Sequence, residues 1–168
     1  MSSLAATLGL RALPSPYSTP NFAPAYLSFH FVFAYCVLAP RHLKQIYGID
    51  HNVSPREDLS RYGDAAVKSG KISQGLLNMM RRNESTQANS VENYILFVGA
   101  MSFASFAGVK RESINRAGLV YTISRVVYGS VYILVDQPAW SFLRSAAWWG
   151  GNISCLWLMR KAGKKLGA

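Results

Sequence analysis

The chain has 168 residues, half of them hydrophobic and only 15% charged, with a mean hydropathy of +0.10; this leaves room for one domain or one small membrane unit and favours the membrane. Lys and Arg outnumber Asp and Glu 18 to 8, a balance that brings nucleic acid into view. The basic residues are nevertheless scattered over 41–82, the pair Lys110 and Arg111, and the tail RKAGKKLGA, without the single basic face that nucleic-acid binding requires, so no such partner is expected.

The opening stretch, MSSLAATLGLRALPSPYSTP, holds three prolines and one arginine. No charged segment precedes an apolar run long enough for a cleavable signal, and residues 1–20 are expected as a disordered or surface-lying arm. NFAPAYLSFHFVFAYCVLAP (21–40) carries no formal charge and can cross a hydrocarbon core of about 30 Å. Cys36 within it and Cys155 near the C-terminus both lie in apolar runs and are expected as small buried hydrophobes, not as a disulfide or a metal site. His30 has no ligand partner at helical spacing, and a structural or interfacial role is expected for it. Residues 41–71 contain Asp50, Glu57, Asp58 and Asp64 among many bases, while Pro55, Gly63 and Gly70 interrupt any long helix; a solvated loop is expected.

Three further spans follow, at about 88–108, 114–135 and 138–159, with a polar lead-in from Ile72 continuing the helix of the first of these outside the hydrocarbon. The last is rich in Trp, as interface-anchored helices are. Short connections near VKRES and DQP make these three spans antiparallel neighbours. Their small residues, among them Gly150 and Gly151, allow close helix approach. The expected fold is therefore an all-α membrane protein, a four-transmembrane-helix bundle over 21–162, with the arm 1–20 before it and a basic tail 163–168 after it. Orientation is undecided by charge, because eight bases fall on the side of the long loop and eight on the other.

Glu92, Arg125 and Arg144 fall inside the spans. Insertion scales put a charge at a helix centre at about 2.5 to 3.5 kcal/mol, and such groups usually face a bundle interior or a water-filled cavity. Arg82, Ser85, Asn89 and Glu92 recur at helical spacing on one stripe, and Tyr121, Arg125, Tyr128 and Tyr132 on another. Two explanations stand side by side: a shared polar pocket able to bind a zwitterion, or an interhelical lock in which Glu92 pairs with Arg125 to hold the bundle.

ANSVENYILF resembles the N-x-x-E-N/Y-x-x-x-F signature in helix two of the MAPEG family, the membrane-associated proteins of eicosanoid and glutathione metabolism. RVVYGSVY resembles that family's R-x-x-(H/Y)-x-x-x-Y helix, and RSAAWWGGN its R-(S/A)-x-x-(F/Y/W) segment; together the motifs place the resemblance over residues 22–162. The resemblance implies homotrimers of four-helix subunits in internal membranes such as the endoplasmic reticulum, with the long loop cytosolic and the termini luminal. It also implies glutathione bound between neighbouring subunits. Carried over by position, Asn89 and Glu92 would bind glutathione, the carboxylate taking its amine, and Gln87 stands where some members use glutamine. Arg82, Arg125, Tyr128 and Tyr132 would complete the binding set, joined by Tyr121 from its place on the same helical stripe, and Arg144 would be the catalytic arginine at the sulfur. Ser85 departs from the pattern, because the best-known members carry arginine there.

The resemblance thus implies a glutathione-dependent transferase, peroxidase or isomerase acting on a lipophilic substrate. Two alternatives remain: a glutathione-independent isomerase or cyclase on the same scaffold, and a non-catalytic membrane scaffold.

Overall fold

In the computed structural model, which describes residues 4–12 and 18–167, every regular element is helical. In chain order these are α1 (Leu4–Thr7), α2 (Ala23–Val32) prolonged by a π-helical turn at Phe33–Val37, α3 (Arg41–Ile46), α4 (Asp58–Arg61), α5 (Gly63–Lys68), α6 (Gln74–Phe106), α7 (Arg111–Leu134), a 3-10 turn at Pro138–Trp140, and α8 (Ser141–Leu166). Ser73 starts α6 as an N-cap, its extended backbone leaving the hydroxyl free to accept the Leu76 amide at 3.2 Å. The polar lead-in and the apolar run then form one unbroken helix, closed at Gly108, whose φ of 67° reverses the chain at no steric cost. The tail is helical as far as Leu166, with Lys164 and Lys165 in the last turn, where the helix dipole favours cations.

Two helical stretches, Ala23–Ile46 and Arg111–Leu134, are long and apolar enough to cross a membrane. α6, α7 and α8 pack on one another, with α2 against α6 and α7. The core between them is built from Phe97, Ala100, Met101 and Ala104 of α6, Ile114, Ala117 and Tyr121 of α7, and Cys155, Leu158 and Ala162 of α8. The alanines keep these helices close, and two glycines bring them closer: a Cβ on Gly118 would lie 2.4 Å from the Tyr26 ring, and one on Gly150 would lie 2.9 Å from Ser124 Oγ. His30 is buried, with Nε2 2.9 Å from Thr122 Oγ1. The Thr122 hydroxyl already donates to the Gly118 carbonyl, so the imidazole is the donor in that pair. Cys155 is buried as expected, but Cys36 is exposed. An apolar run that faces outward carries the same residues as one that faces inward.

Of the two alternatives for the N-terminal arm, its described part follows the surface-lying one, while the expectation for 41–71 is corrected. The described part of the N-terminal arm is fastened to the start of α7. Asn115, wholly buried, donates to the Gly9 and Pro20 carbonyls, each at 2.9 Å, and accepts the Phe22 amide at 3.0 Å, thereby capping α2. Arg116 reaches the Leu10 carbonyl, Arg111 the Thr19 carbonyl, and Thr19 donates to Glu112 at 2.7 Å. Residues 1–3 and 13–17 of the arm, and Ala168 of the tail, lie outside the described residues. The stretch 41–71, in turn, is more than a solvated loop. Ile49, Leu59, Ala66 and Ile72 close over Leu77 and Met80 of α6 as a second small core. Beside it the buried Lys44 donates to the Pro55 carbonyl and to Glu84 at 2.9 Å.

Replacing Asn115 by Ala strands two carbonyls and one amide, each a loss of about 1 to 3 kcal/mol when buried. Thermal unfolding in detergent should show a marked fall in Tm, with Asn115→Asp intermediate because it keeps the acceptor for Phe22. Trypsin cleavage after Arg11 should accelerate in parallel. An unchanged Tm and cleavage rate would show that the arm is not held this way.

Candidate functional site

Helix α6 carries two sets of polar groups on opposite faces. Arg82 and Glu84 are two residues apart, about 200° around a helix, and the structure opens a cavity beside each.

On the Arg82 side, a cavity of about 230 Å³ is bounded by Arg82, Val131, Asp136, Ser141 and Arg144. Arg82 donates to the Ile133 carbonyl at 3.2 Å and pairs with Asp136 at 2.8 Å, which satisfies part of the open C-terminal turn of α7. Arg144 makes no ion pair or hydrogen bond among the described residues; its guanidinium lies over the Tyr132 ring, 4.3 Å from the centroid. A planar cation stacked on a phenol is held in orientation without being neutralised.

On the other side, a groove of about 600 Å³ is lined by Tyr35, Arg41, Lys44, Arg56, Glu84, Gln87 and Glu92. Neither Gln87 nor Glu92 has a hydrogen-bonding or charged partner among the described residues, and Glu92 is exposed. Glu92 therefore does not pair with Arg125 within the chain, and the interhelical lock weighed from sequence is not formed.

Between the two cavities lies Arg125, only 2% exposed. Its Nη2 donates to Asn89 Oδ1 at 2.9 Å and to Ser90 Oγ at 3.1 Å, its plane lies over Tyr128 at 4.5 Å, and its Nη1 is buried without a partner. Tyr128 meets Tyr132 edge to face at 5.6 Å. A continuous row of Asn89, Arg125, Tyr128, Tyr132 and Arg144 thus crosses from α6 along α7 to α8. Tyr121 stands apart from it. It is 1% exposed, stacks on Phe97 at 4.0 Å and donates to the Asn93 carbonyl at 3.1 Å, so its polar atom is occupied inside the core.

The sequence-predicted residues are therefore brought together in part. Arg82 and Arg144 share one cavity, Gln87 and Glu92 line the other, and the rest connect them or, for Tyr121, lie behind. Sequence reasoning missed Ser90, Asp136, Arg56, Lys44 and Glu84. The face defined by 84, 88, 91 and 92 was open to the same helical-spacing test, whereas the residues from 41–56 carry no periodic signal.

The sequence pattern of the MAPEG family matches residues 23–163. The chain belongs to the MAPEG family. No curated protein and no solved structure gives a significant match to it. Membership of the MAPEG family agrees with the two helical stretches of membrane-crossing length found among the described residues, and together they support association with a lipid bilayer.

The orphaned guanidinium of Arg125 gives a test of its own. A buried charge without a carboxylate contributes little to folding, so Arg125→Met, which keeps volume and removes the charge, should stay within about 1.5 kcal/mol of wild type. Arg125→Ala leaves a cavity and should cost about 2 to 5 kcal/mol. Chemical unfolding in detergent measures both, and equal losses would mean that the charge itself holds the bundle.

Proposed function

We propose that the protein is a homotrimer of four-span subunits, with spans at 21–40, 88–108, 114–135 and 138–159, in the endoplasmic reticulum membrane. We propose further that it acts as a glutathione-dependent transferase, peroxidase or isomerase on a lipophilic substrate. One observation carries this reading: the polar groups left without partners among the described residues are divided between two cavities flanking α6, Arg144 lining one and Gln87 and Glu92 the other. A closed ring of identical subunits sets one face of each copy against the opposite face of the next. Each inter-subunit cleft would then collect a carboxylate, an amide and a free guanidinium. The wide groove alone lacks Arg144, and the smaller cavity alone lacks Gln87 and Glu92.

The donor chemistry fits glutathione. Glu92 suits its ammonium, Gln87 its amide groups, and Arg144 its sulfur. Bound there, glutathione would supply a thiol whose deprotonated form attacks electrophilic lipids. Arg144 would favour that form by placing a positive charge beside the sulfur. Tyr132 fixes the plane of the guanidinium. Asp136 pairs with Arg82 at 2.8 Å, which leaves the charge of Arg144 free to act on the thiol. Arg125, with a buried N–H to spare, holds Asn89 and keeps α6 and α7 in register beneath the cleft.

Ser85 supports a second reading. Without arginine at that position the scaffold would serve as a glutathione-independent isomerase or cyclase, in which Glu92 and the tyrosines move protons. A thermal shift with a lipophilic ligand and none with glutathione would favour it.

Under the leading reading, adding millimolar glutathione to the purified trimer near neutral pH should raise the ultraviolet absorbance of a thiolate. Arg144→Ala should abolish that signal and lower turnover by about 10²-fold or more, as loss of one preorganised charge donor does. Glu92→Gln should weaken binding by about 1.5 to 3 kcal/mol, the range for hydrogen bonds to charged groups, with the trimer intact. Wild-type protein without a thiolate signal would overturn the glutathione reading.

The topology has a separate test. Single cysteines placed at Ser2 and at Ser54, in a background lacking Cys36 and Cys155, should label from opposite sides of sealed microsomes, Ser54 from the cytosolic side. Labelling from the same side would mean that 21–40 does not cross and would overturn the four-span model.

A further inference from the structure

The wide groove on the far side of α6 holds more charge than the family motifs account for. Of its cations, Arg41 is paired with Asp50 at 3.0 Å and Lys44 with Glu84 at 2.9 Å. Arg56 lines the same groove and has no ion pair or hydrogen bond among the described residues. The groups left to meet a ligand are thus one guanidinium, one amide and one carboxylate, contributed by Arg56, Gln87 and Glu92.

Arg56 is on a connecting segment, yet its backbone is anchored. Lys44 is 2% exposed and donates to the carbonyl of Pro55, the residue immediately before Arg56. The same ammonium donates to Glu84 on α6, and the buried Asp58 lies 4.0 Å from it. A charge this deeply buried is tolerated only with such partners, and here they tie the segment to one turn of α6. Glu84, where the segment is tied, and Glu92, at the other end of the lining, are separated by eight residues, about 12 Å along a helix. An extended tripeptide spans about 10 Å. The groove of about 600 Å³ is ample for a ligand of that size.

We infer that Arg56 binds a carboxylate of the tripeptide while Glu92 takes its ammonium, so that the segment between α3 and α4 supplies a specificity-determining cation to the site. This inference rests on the glutathione reading above. It gives the buried Lys44 a task, which is to present Arg56, and it makes the groove selective for a ligand with both signs of charge.

The test is calorimetric binding of glutathione, and of its diethyl ester in which both carboxylates are blocked, to the full-length protein in detergent. Wild type, Arg56→Ala and Arg56→Lys are compared, with oligomer size and Tm checked for each. Arg56→Ala should weaken glutathione by about 10-fold to 100-fold, the range for a charge-assisted hydrogen bond. It should leave the ester's affinity unchanged, while Arg56→Lys should recover most of the loss. Equal weakening of glutathione and ester would mean that Arg56 acts through the fold, and no weakening would mean that it does not face the ligand; either result overturns the inference and leaves the glutathione reading standing. If wild type binds neither compound, the glutathione reading fails and this inference fails with it.

Discussion

The structure turns on a buried guanidinium that has no acid beside it. Arg125 sits between α6 and α7 with an amide, a hydroxyl and a phenol ring as partners, one N–H left over, and no carboxylate within pairing distance. Neutral partners satisfy geometry without cancelling charge, so a positive potential persists inside the bundle. That potential lies under both cavities. It favours an anionic or dipolar guest near Tyr128 and Tyr132 over a purely apolar one. Glu92 is not spent as the internal counter-ion of Arg125 and stays exposed at the groove.

The same economy recurs around the site. Arg82 is neutralised by Asp136 and Lys44 by Glu84, whereas Arg144, Arg56 and Glu92 are left unpaired. The paired set joins segments together: the end of α7 to α6 in one case, the 41–57 segment to α6 in the other. The unpaired set faces the cavities. Ion pairs that fasten backbone must be satisfied within the chain, while groups that bind a ligand must not be, or their charge would be spent before the ligand arrives.

Much of this was legible in the sequence. The length of α6 followed from a polar lead-in that keeps helical spacing into an apolar run, and the row from Asn89 through Arg125 to Tyr132 followed from intervals of three and four. Other features were not legible, for physical reasons. Within an apolar span, lipid-facing and core-facing residues are drawn from the same set, so Cys36 and Cys155 could not be told apart. The small core under 41–71 joins Ile49, Leu59 and Ala66 to Leu77 and Met80 across turns with no common period, and Lys44 in isolation reads as a solvated base. The attachment of the arm was not legible because it depends on one buried amide, Asn115, more than ninety residues away from the carbonyls it holds.

Asn115 has a counterpart at the other end of α2. Asn115 sets where α2 begins, by accepting the Phe22 amide, while Asn83 of α6 donates to the Leu38 carbonyl at 3.0 Å, just after the π-helical turn that ends it. Side-chain amides from neighbouring helices thus hold α2 at both ends, while Ala23, Tyr26, Leu27 and His30 pack its inner face against α6 and α7. Its outer apolar surface is left free, with Phe29, Phe31, Val32 and Val37 all exposed. An apolar helix in lipid gains little register from hydrophobic burial, since the lipid is as apolar as the core. Polar caps at its two ends supply the register that hydrophobic packing does not. Because α2 leads directly into Arg41 and Lys44, that register also decides where the wide groove's cationic wall stands relative to Glu92.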